Sequence, residues 1–135
     1  MKKEARKTPI QVCLLSPHPL VLSEFERSLP SSSFKLISRQ LESTLGPDLR
    51  RLEVPRAAMY VVDAHVAHPA AGALLSNILD HSPEARIIVV AEKFDSAESY
   101  SLLQMGAKGL LSYGEAREQL PRALPLVAAG GFSSG

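Results

Sequence analysis

The feature that most restricts the fold of this chain is a strict alternation of short apolar runs with segments of helical periodicity. Five runs have the length and β-branched content of strands: IQVCLL (10–15), FKLIS (34–38), AAMYVV (57–62), ARIIVV (85–90) and KGLLSY (108–113). Because these runs are apolar on both faces, they are typical of a parallel sheet that helices cover on both sides. The sequence therefore predicts a doubly wound α/β domain.

Five helices are predicted after the strands, because apolar residues recur there at helical intervals. The residues that mark them are Leu20, Leu22, Phe25 and Leu29; Leu45, Leu49 and Leu52; Leu74, Leu75, Ile78 and Leu79; Tyr100, Leu102, Leu103 and Met105; and Leu120, Leu124 and Val127. Pro19 suits the first turn of the first helix. In the last helix, Pro121 and Pro125 each lack a backbone N–H, so we expect lost hydrogen bonds and a kink unless Pro121 falls in the first turn.

Composition narrows the class of protein. A length of 135 residues suits one domain, and no apolar stretch approaches the roughly 18 residues of a membrane span. The basic start MKKEARKTPI lacks the features of a secretion signal, which predicts a cytoplasmic location. Cys13 is the single cysteine, which excludes an intrachain disulfide and a cysteine-based zinc cluster. A net charge of +1 does not indicate the basic surface that binds nucleic acid, so DNA would be bound only through a domain outside this chain.

Ligands of doubly wound sheets collect at the carboxyl ends of the strands. The residues at those ends are Ser16, Pro17 and His18, then Asp63 to His68, then Ala91 and Glu92, and finally Tyr113. The first of these stretches, SPHPLVLS, lacks the glycine-rich pattern of a dinucleotide site, and no segment reads GxxxxGK[ST]. The sequence therefore predicts neither a Rossmann enzyme nor a P-loop ATPase, and no cofactor.

Four separated motifs resemble the receiver domain of a two-component response regulator: HPLVLSEFERSL (18–29), VVD (61–63), GAKGLLSY (106–113) and LPLVAAGG (124–131). The subfamily with a C-terminal helix-turn-helix output domain is the most similar. The resemblance implies a flavodoxin-like five-stranded sheet in the order 2-1-3-4-5. It divides the chain into a basic tail (1–9), a receiver-like domain (10–131) and the start of a linker or tail (132–135).

The chain departs from this family at the positions that carry its chemistry. The resemblance places Asp63 at the phosphoacceptor position. Two acidic residues that help to hold Mg²⁺ are replaced by Ser16 and Pro17, a hydroxyl residue is replaced by Ala91, and a lysine is replaced by Tyr113. Without these groups the charge of a transferring phosphoryl group is not stabilised. The sequence therefore predicts a pseudo-receiver without enzymatic activity and without a metal, in which Asp63→Asn leaves the fold essentially unchanged.

Such a domain is expected to act through protein–protein contacts that are largely independent of phosphorylation. We expect a homodimer formed through the first or last helix, contact with a histidine kinase or another signalling protein, and control of transcription through a linked or partner DNA-binding domain.

Two further interpretations remain open at the level of the sequence. One is a conventional receiver that is phosphorylated on Asp63. The other is a module that senses a small anion or a metal with Ser16, His18, Asp63 and His65, because Asp63, His65 and His68 form a D-x-H-x-x-H pattern. Asp63 could also simply cap the following loop through local backbone hydrogen bonds. His81, placed between a helix and a strand, is interpreted as structural.

Overall fold

One parallel sheet organises the chain. The computed structural model describes residues 9–41, 55–65, 69–130 and 133–134. Its elements are β1 (Ile10–Ser16), α1 (Pro19–Ser28), β2 (Phe34–Gln40), β3 (Met59–His65), α2 (Pro69–His81), β4 (Arg86–Ala91), α3 (Ser96–Gln104), β5 (Ala107–Ser112), α4 (Tyr113–Ala128) and β6 (Ser133–Ser134). The first five strands lie in the order β2-β1-β3-β4-β5, and neighbouring strands are parallel. The predicted flavodoxin-like fold is confirmed, while the predicted helix marked by Leu45, Leu49 and Leu52 lies outside the described residues.

The sheet separates two apolar layers because successive side chains of a strand point to opposite faces. Val12 and Val61 pack on one face with residues of α1 and α4, whereas Cys13 and Tyr60 pack on the other face with residues of α2 and α3. The central strands are buried on both faces, which explains why their sequences read as continuous apolar runs. None of the helices in the described part of the chain has the length and hydropathy that a membrane span requires.

Capping boxes begin the last two helices. Asp95 accepts from the backbone N–H of Glu98 at the start of α3. Ser112 accepts from the backbone N–H of Glu115 at the start of α4, and the Glu115 carboxylate bonds back to the Ser112 backbone N–H. These reciprocal bonds satisfy donors that a helix start leaves unpaired. The box at Ser112 fixes the position of Tyr113, the first residue of α4.

The two prolines of α4 lie inside the helix, and Pro121 is not in its first turn. The helix nevertheless runs through both residues to Ala128. Pro121 and Pro125 lie on the more exposed side, away from the buried Leu120 and Leu124. The hydrogen bonds that these prolines remove are therefore on the side where water can reach the freed carbonyl groups.

Some details differ from the prediction. β3 runs to His65, so Asp63 lies inside the strand rather than beyond it, and the register with β4 shifts between Asp63 and His65. Leu20, expected on the apolar face of the first helix, is 81% exposed. Ser133 and Ser134 pair with β5 as a sixth strand, in a segment where the sequence predicts the start of a linker. The predicted end of the receiver-like domain at residue 131 stays a prediction.

Candidate functional site

Asp63 is a buried carboxylate, and only 3% of the residue is exposed. Its strand, β3, lies between β1 and β4 in the middle of the sheet. Ser16, the last residue of β1, is fully buried, and its Oγ donates a hydrogen bond to Asp63 Oδ2 at 2.6 Å. The distance is typical of a hydroxyl that bonds to a charged acceptor. Ser16 therefore bonds to the residue at the phosphoacceptor position.

Tyr113 supplies a second hydroxyl to the same carboxylate. Its phenol donates a hydrogen bond to Asp63 Oδ1, so both carboxylate oxygens accept from side-chain hydroxyls. Burial raises the pKa of the Tyr113 phenol well above its ordinary value, and the hydrogen bond to Asp63 and the negative charges of Asp63 and Glu92 raise it further. The phenol consequently keeps its proton and remains a donor at neutral pH.

Ser16 also connects the carboxylate to the start of α1. Its Oγ accepts from the backbone N–H of His18 at 2.9 Å and lies 3.3 Å from the His18 carbonyl oxygen. The same carbonyl accepts from the backbone N–H groups of Val21 and Leu22 in the first turn of α1. One hydrogen-bonded group thus joins β1, β3 and the starts of α1 and α4.

The remaining predicted positions are placed as follows. Ala91 ends β4 and is fully buried, Pro17 is partly buried, and Glu92 is exposed. His68 and the side chain of His65 lie outside the described residues, so the D-x-H-x-x-H hypothesis stays untested. Across the described ranges, no group of three or more His, Cys, Asp or Glu side chains is arranged to hold a metal ion. His81 is the last residue of α2, and its Nδ1 lies 2.9 Å from the Asn77 carbonyl oxygen.

The residues do not fit the Mg²⁺ site that the receiver fold implies. Mg²⁺ prefers charged, hard oxygen ligands in near-octahedral geometry. The end of β1 offers the hydroxyl of Ser16 and the ring of Pro17, and that hydroxyl is already bonded to Asp63. Each oxygen of Asp63 already accepts from a hydroxyl group, and neither Ser16 nor Pro17 adds the second carboxylate that a charged ligand set would need. We therefore derive no metal-dependent step at this site.

Sequence reasoning identified Ser16, Asp63 and Tyr113 but missed that they bond to one another. Asp63 is separated from its two partners by 47 and 50 residues along the chain. A signal was present, since two hydroxyl residues stand at the carboxyl ends of strands near that of Asp63. Local capping does not account for these two bonds, because both reach across the sheet.

Comparison with known proteins identifies the fold of the chain. No family model matches the chain. No curated protein matches it in sequence. Solved structures of receiver domains do match. The isolated receiver domain of RcsB from Salmonella enterica serovar Typhimurium aligns with a TM-score of 0.75 and 23% identity, over 93% of this chain and 92% of that one. A LuxR-family two-component response regulator from Aurantimonas sp. SI85-9A1 gives 0.75 and 19%, over 93% and 89%.

A longer RcsB structure from Salmonella typhimurium aligns with a TM-score of 0.73 and 22% identity over 95% of this chain. The chain spans 62% of the length of that protein. At these identities the similarity establishes the fold, and the chain has the fold of response-regulator receiver domains.

Proposed function

We propose that this chain is an atypical receiver domain of a signalling protein, in the cytoplasm, whose output does not depend on phosphorylation of Asp63. The observation that carries the proposal is that Ser16 and Tyr113 donate hydrogen bonds to the two oxygens of a buried Asp63 carboxylate. The domain acts without catalysis, through protein–protein contacts, and controls transcription through a linked or partner DNA-binding domain.

The hydroxyl contacts oppose phosphorylation for two physical reasons. A carboxylate oxygen must attack the phosphorus of the donor, and the hydroxyl that already bonds to each Asp63 oxygen lowers its nucleophilicity and occupies one of its directions of approach. The added phosphoryl group carries a charge of about −2, and it would lie where the Tyr113 phenol now bonds to Asp63. Lysine at position 113 would attract that charge, whereas the phenol cannot neutralise it. The groups that make a receiver responsive are thus replaced by groups that hold the unphosphorylated carboxylate.

Chemical phosphorylation tests the proposal. The purified chain would be incubated with acetyl phosphate and Mg²⁺ and measured by intact mass spectrometry. We expect no added phosphoryl group, while a conventional receiver domain under the same conditions gains one. A phosphoryl adduct on the wild type that disappears in Asp63→Asn would overturn the proposal and favour the conventional receiver.

A restoring variant sharpens this test. Four substitutions, Ser16→Asp, Pro17→Asp, Ala91→Thr and Tyr113→Lys, return the groups that the resemblance implies at those positions. If these groups are what the chain lacks, the variant should acquire the adduct, and adding Asp63→Asn should remove it. A melting curve shows whether the variant folds. A folded variant without the adduct would contradict the explanation given for the loss.

We also propose that the domain forms a constitutive homodimer through α1. Leu20 is 81% exposed and borders an apolar groove of about 210 Å³ between α1 and α4, lined by Val21, Phe25, Tyr113 and Ala116 among others. An exposed leucine beside an apolar groove is suited to a two-fold contact, because each copy can offer its leucine to the groove of the other. RcsB, which shares the fold, has been solved as dimers bound to DNA.

Solution mass tests the dimer. We expect the wild type to be dimeric at high micromolar concentration without a phosphodonor, and Leu20→Glu to be monomeric. Leu103→Glu is the matched control, because Leu103 is 43% exposed on α3, a helix of the opposite layer. A monomeric wild type, or a loss of dimer caused equally by both variants, would count against the α1 contact.

A further inference from the structure

A second polar site lies at the opposite end of the sheet from Asp63. A cavity of about 480 Å³ opens among the starts of β1, β3 and β4 and the ends of α2 and α4. We call it the amino-end cavity. Among the residues that line it are Arg56, His81, Glu84 and Arg86. Its volume lies in the range of cavities that hold small molecules.

The two arginines are held in place by helix ends. Arg86, the first residue of β4, donates from Nη1 to the carbonyl oxygen of Val127 at 3.1 Å, near the end of α4. Arg56 donates from Nη2 to the carbonyl oxygen of His81 at 3.5 Å, at the end of α2. Carbonyl groups at a helix end lack helical partners and carry partial negative charge, so they attract guanidinium groups. The 3.1 Å contact orients Arg86 beside the cavity, whereas the longer contact of the exposed Arg56 places its guanidinium there less rigidly.

Each guanidinium retains further donor capacity. A guanidinium has five N–H donors, and among the described residues the side chains of Arg56 and Arg86 each donate to one carbonyl oxygen. Of the charged side chains that line the cavity, Arg56 and Arg86 are cationic and Glu84 is anionic. No salt bridge in the described part of the chain joins Glu84 to either arginine. The cavity therefore combines a positive balance with oriented donors.

We propose that the amino-end cavity binds a small molecule that carries a phosphate or carboxylate group, with Arg56 and Arg86 as the anion-binding residues. Guanidinium groups match both oxyanions through paired N–H donors, and prior orientation by a carbonyl lowers the entropy lost on binding. This proposal does not depend on the proposed function of the Asp63 site, since the two sites share no residue. It gives the domain an input other than phosphorylation.

The position of Arg86 indicates how binding would reach the rest of the protein. The carbonyl that holds Arg86 belongs to the last turn of α4, and Gly130 follows with a φ of +103°. A Cβ atom at Gly130 would lie 3.9 Å from Nη1 of Arg86. An anion on this guanidinium therefore acts beside the turn through which the chain leaves α4 toward β6.

Titration calorimetry at constant ionic strength tests the proposal, with pyrophosphate as the phosphate probe and citrate as the carboxylate probe. We expect saturable binding of at least one probe, and the stronger one identifies the chemical class. Arg56→Gln should weaken that binding at least tenfold. Arg122→Gln is the control, because it removes the same charge from an exposed position of α4 outside the cavity, and it should leave binding within twofold.

Arg86→Lys is a second variant, which keeps the charge but loses the paired donors. It should bind the probe more weakly, and a melting curve should show that it keeps its fold. Absence of saturable binding for both probes would overturn the proposal. Equal weakening by Arg56→Gln and Arg122→Gln would also overturn it, because binding would then follow net charge alone. Failure here leaves the phosphorylation experiments on Asp63 unaffected, so the two proposals are tested separately.

Discussion

The two ends of the sheet use their polar groups in opposite ways. At the carboxyl end, Asp63 is buried and both of its oxygens accept hydrogen bonds from Ser16 and Tyr113. At the amino end, Arg56 and Arg86 stand beside an open cavity. Parallel α/β sheets usually bind ligands at the carboxyl end. Here Ser16, Asp63 and Tyr113 at that end bond to one another.

The difference follows from the number of donors and acceptors at each end. Two hydroxyls and one carboxylate can satisfy each other across three neighbouring elements, which leaves a ligand to compete with bonds already made. Two guanidinium groups offer more donors than the helix-end carbonyls accept. A ligand at the amino end can therefore replace water on these donors without first breaking a hydrogen bond within the protein.

The largest effect on stability is expected for removal of the acceptor at the carboxyl end. Asp63→Ala deprives the Ser16 and Tyr113 hydroxyls of their shared acceptor and should lower the free energy of unfolding by about 1–3 kcal/mol. Asp63→Asn should stay within about 1 kcal/mol of the wild type. The asparagine oxygen can accept from Tyr113, and its NH₂ can donate to Ser16, whose hydroxyl can turn to the His18 carbonyl oxygen 3.3 Å away. Denaturant unfolding of both variants measures the contrast, and equal losses would show that charge matters more than hydrogen bonding.

Tyr113→Phe removes one of the two donors, and we expect a loss of about 1–2 kcal/mol at pH 7. Tyr100→Phe is the control, because Tyr100 is 67% exposed on α3 and should change stability little. Loss of stability of similar size in both variants would show that the contact with Asp63 contributes nothing specific.

The same variant should change the pH dependence of stability. Because the pKa of Tyr113 is raised in the folded state, the unfolded state loses its phenolic proton first as the pH rises. The contribution of the Tyr113 phenol to the free energy of unfolding is therefore complete below about pH 10 and falls as the pH rises beyond it. The slope is at most about 1.4 kcal/mol per pH unit for one proton. Burial also raises the pKa of Cys13 to about 11 and that of Tyr60, so Tyr113→Phe should reduce the alkaline slope without abolishing it. Unfolding at pH 7, 9 and 10.5 checks this, and an unchanged slope would contradict it.

Removal of the cap that positions Tyr113 should have an effect of about 1 kcal/mol. Ser112→Ala loses the hydroxyl of the capping box, whereas Ser112→Gly should lose only about a few tenths of a kcal/mol, because glycine is tolerated at the N-cap. Denaturant unfolding distinguishes the two. If the glycine variant is the less stable one, the cap is not what holds the start of α4.

The smallest effect is expected at the amino end. Arg56 is exposed and makes one long hydrogen bond, so Arg56→Gln should change stability by less than about 0.5 kcal/mol. Arg56 lies before the start of β3, and the strand from Met59 to Asp63 alone spans roughly 13 Å. The double variant with Asp63→Ala should therefore be additive within about 0.5 kcal/mol. A larger coupling energy would show that the two ends of the sheet are not independent.

Much of the fold could be predicted from the sequence, because strands and helices here are marked by local patterns. Runs such as IIVV are buried on both faces, and the helical spacing of Leu120, Leu124 and Val127 matches the buried face of α4. Leu20 obeys the same spacing in α1 but is exposed. Periodicity shows which residues share a face, whereas exposure depends on what packs against the end of that face.

The candidate site could be predicted by position but not by contact. The sequence by itself determined that Ser16, Asp63 and Tyr113 stand at the carboxyl ends of strands, since the order of strands and helices follows from local periodicity. Only the tertiary structure decided that the two hydroxyls bond to the one carboxylate and that Arg56 and Arg86 border one cavity. Those relations depend on side-chain directions across elements that lie tens of residues apart, and no local pattern encodes these directions.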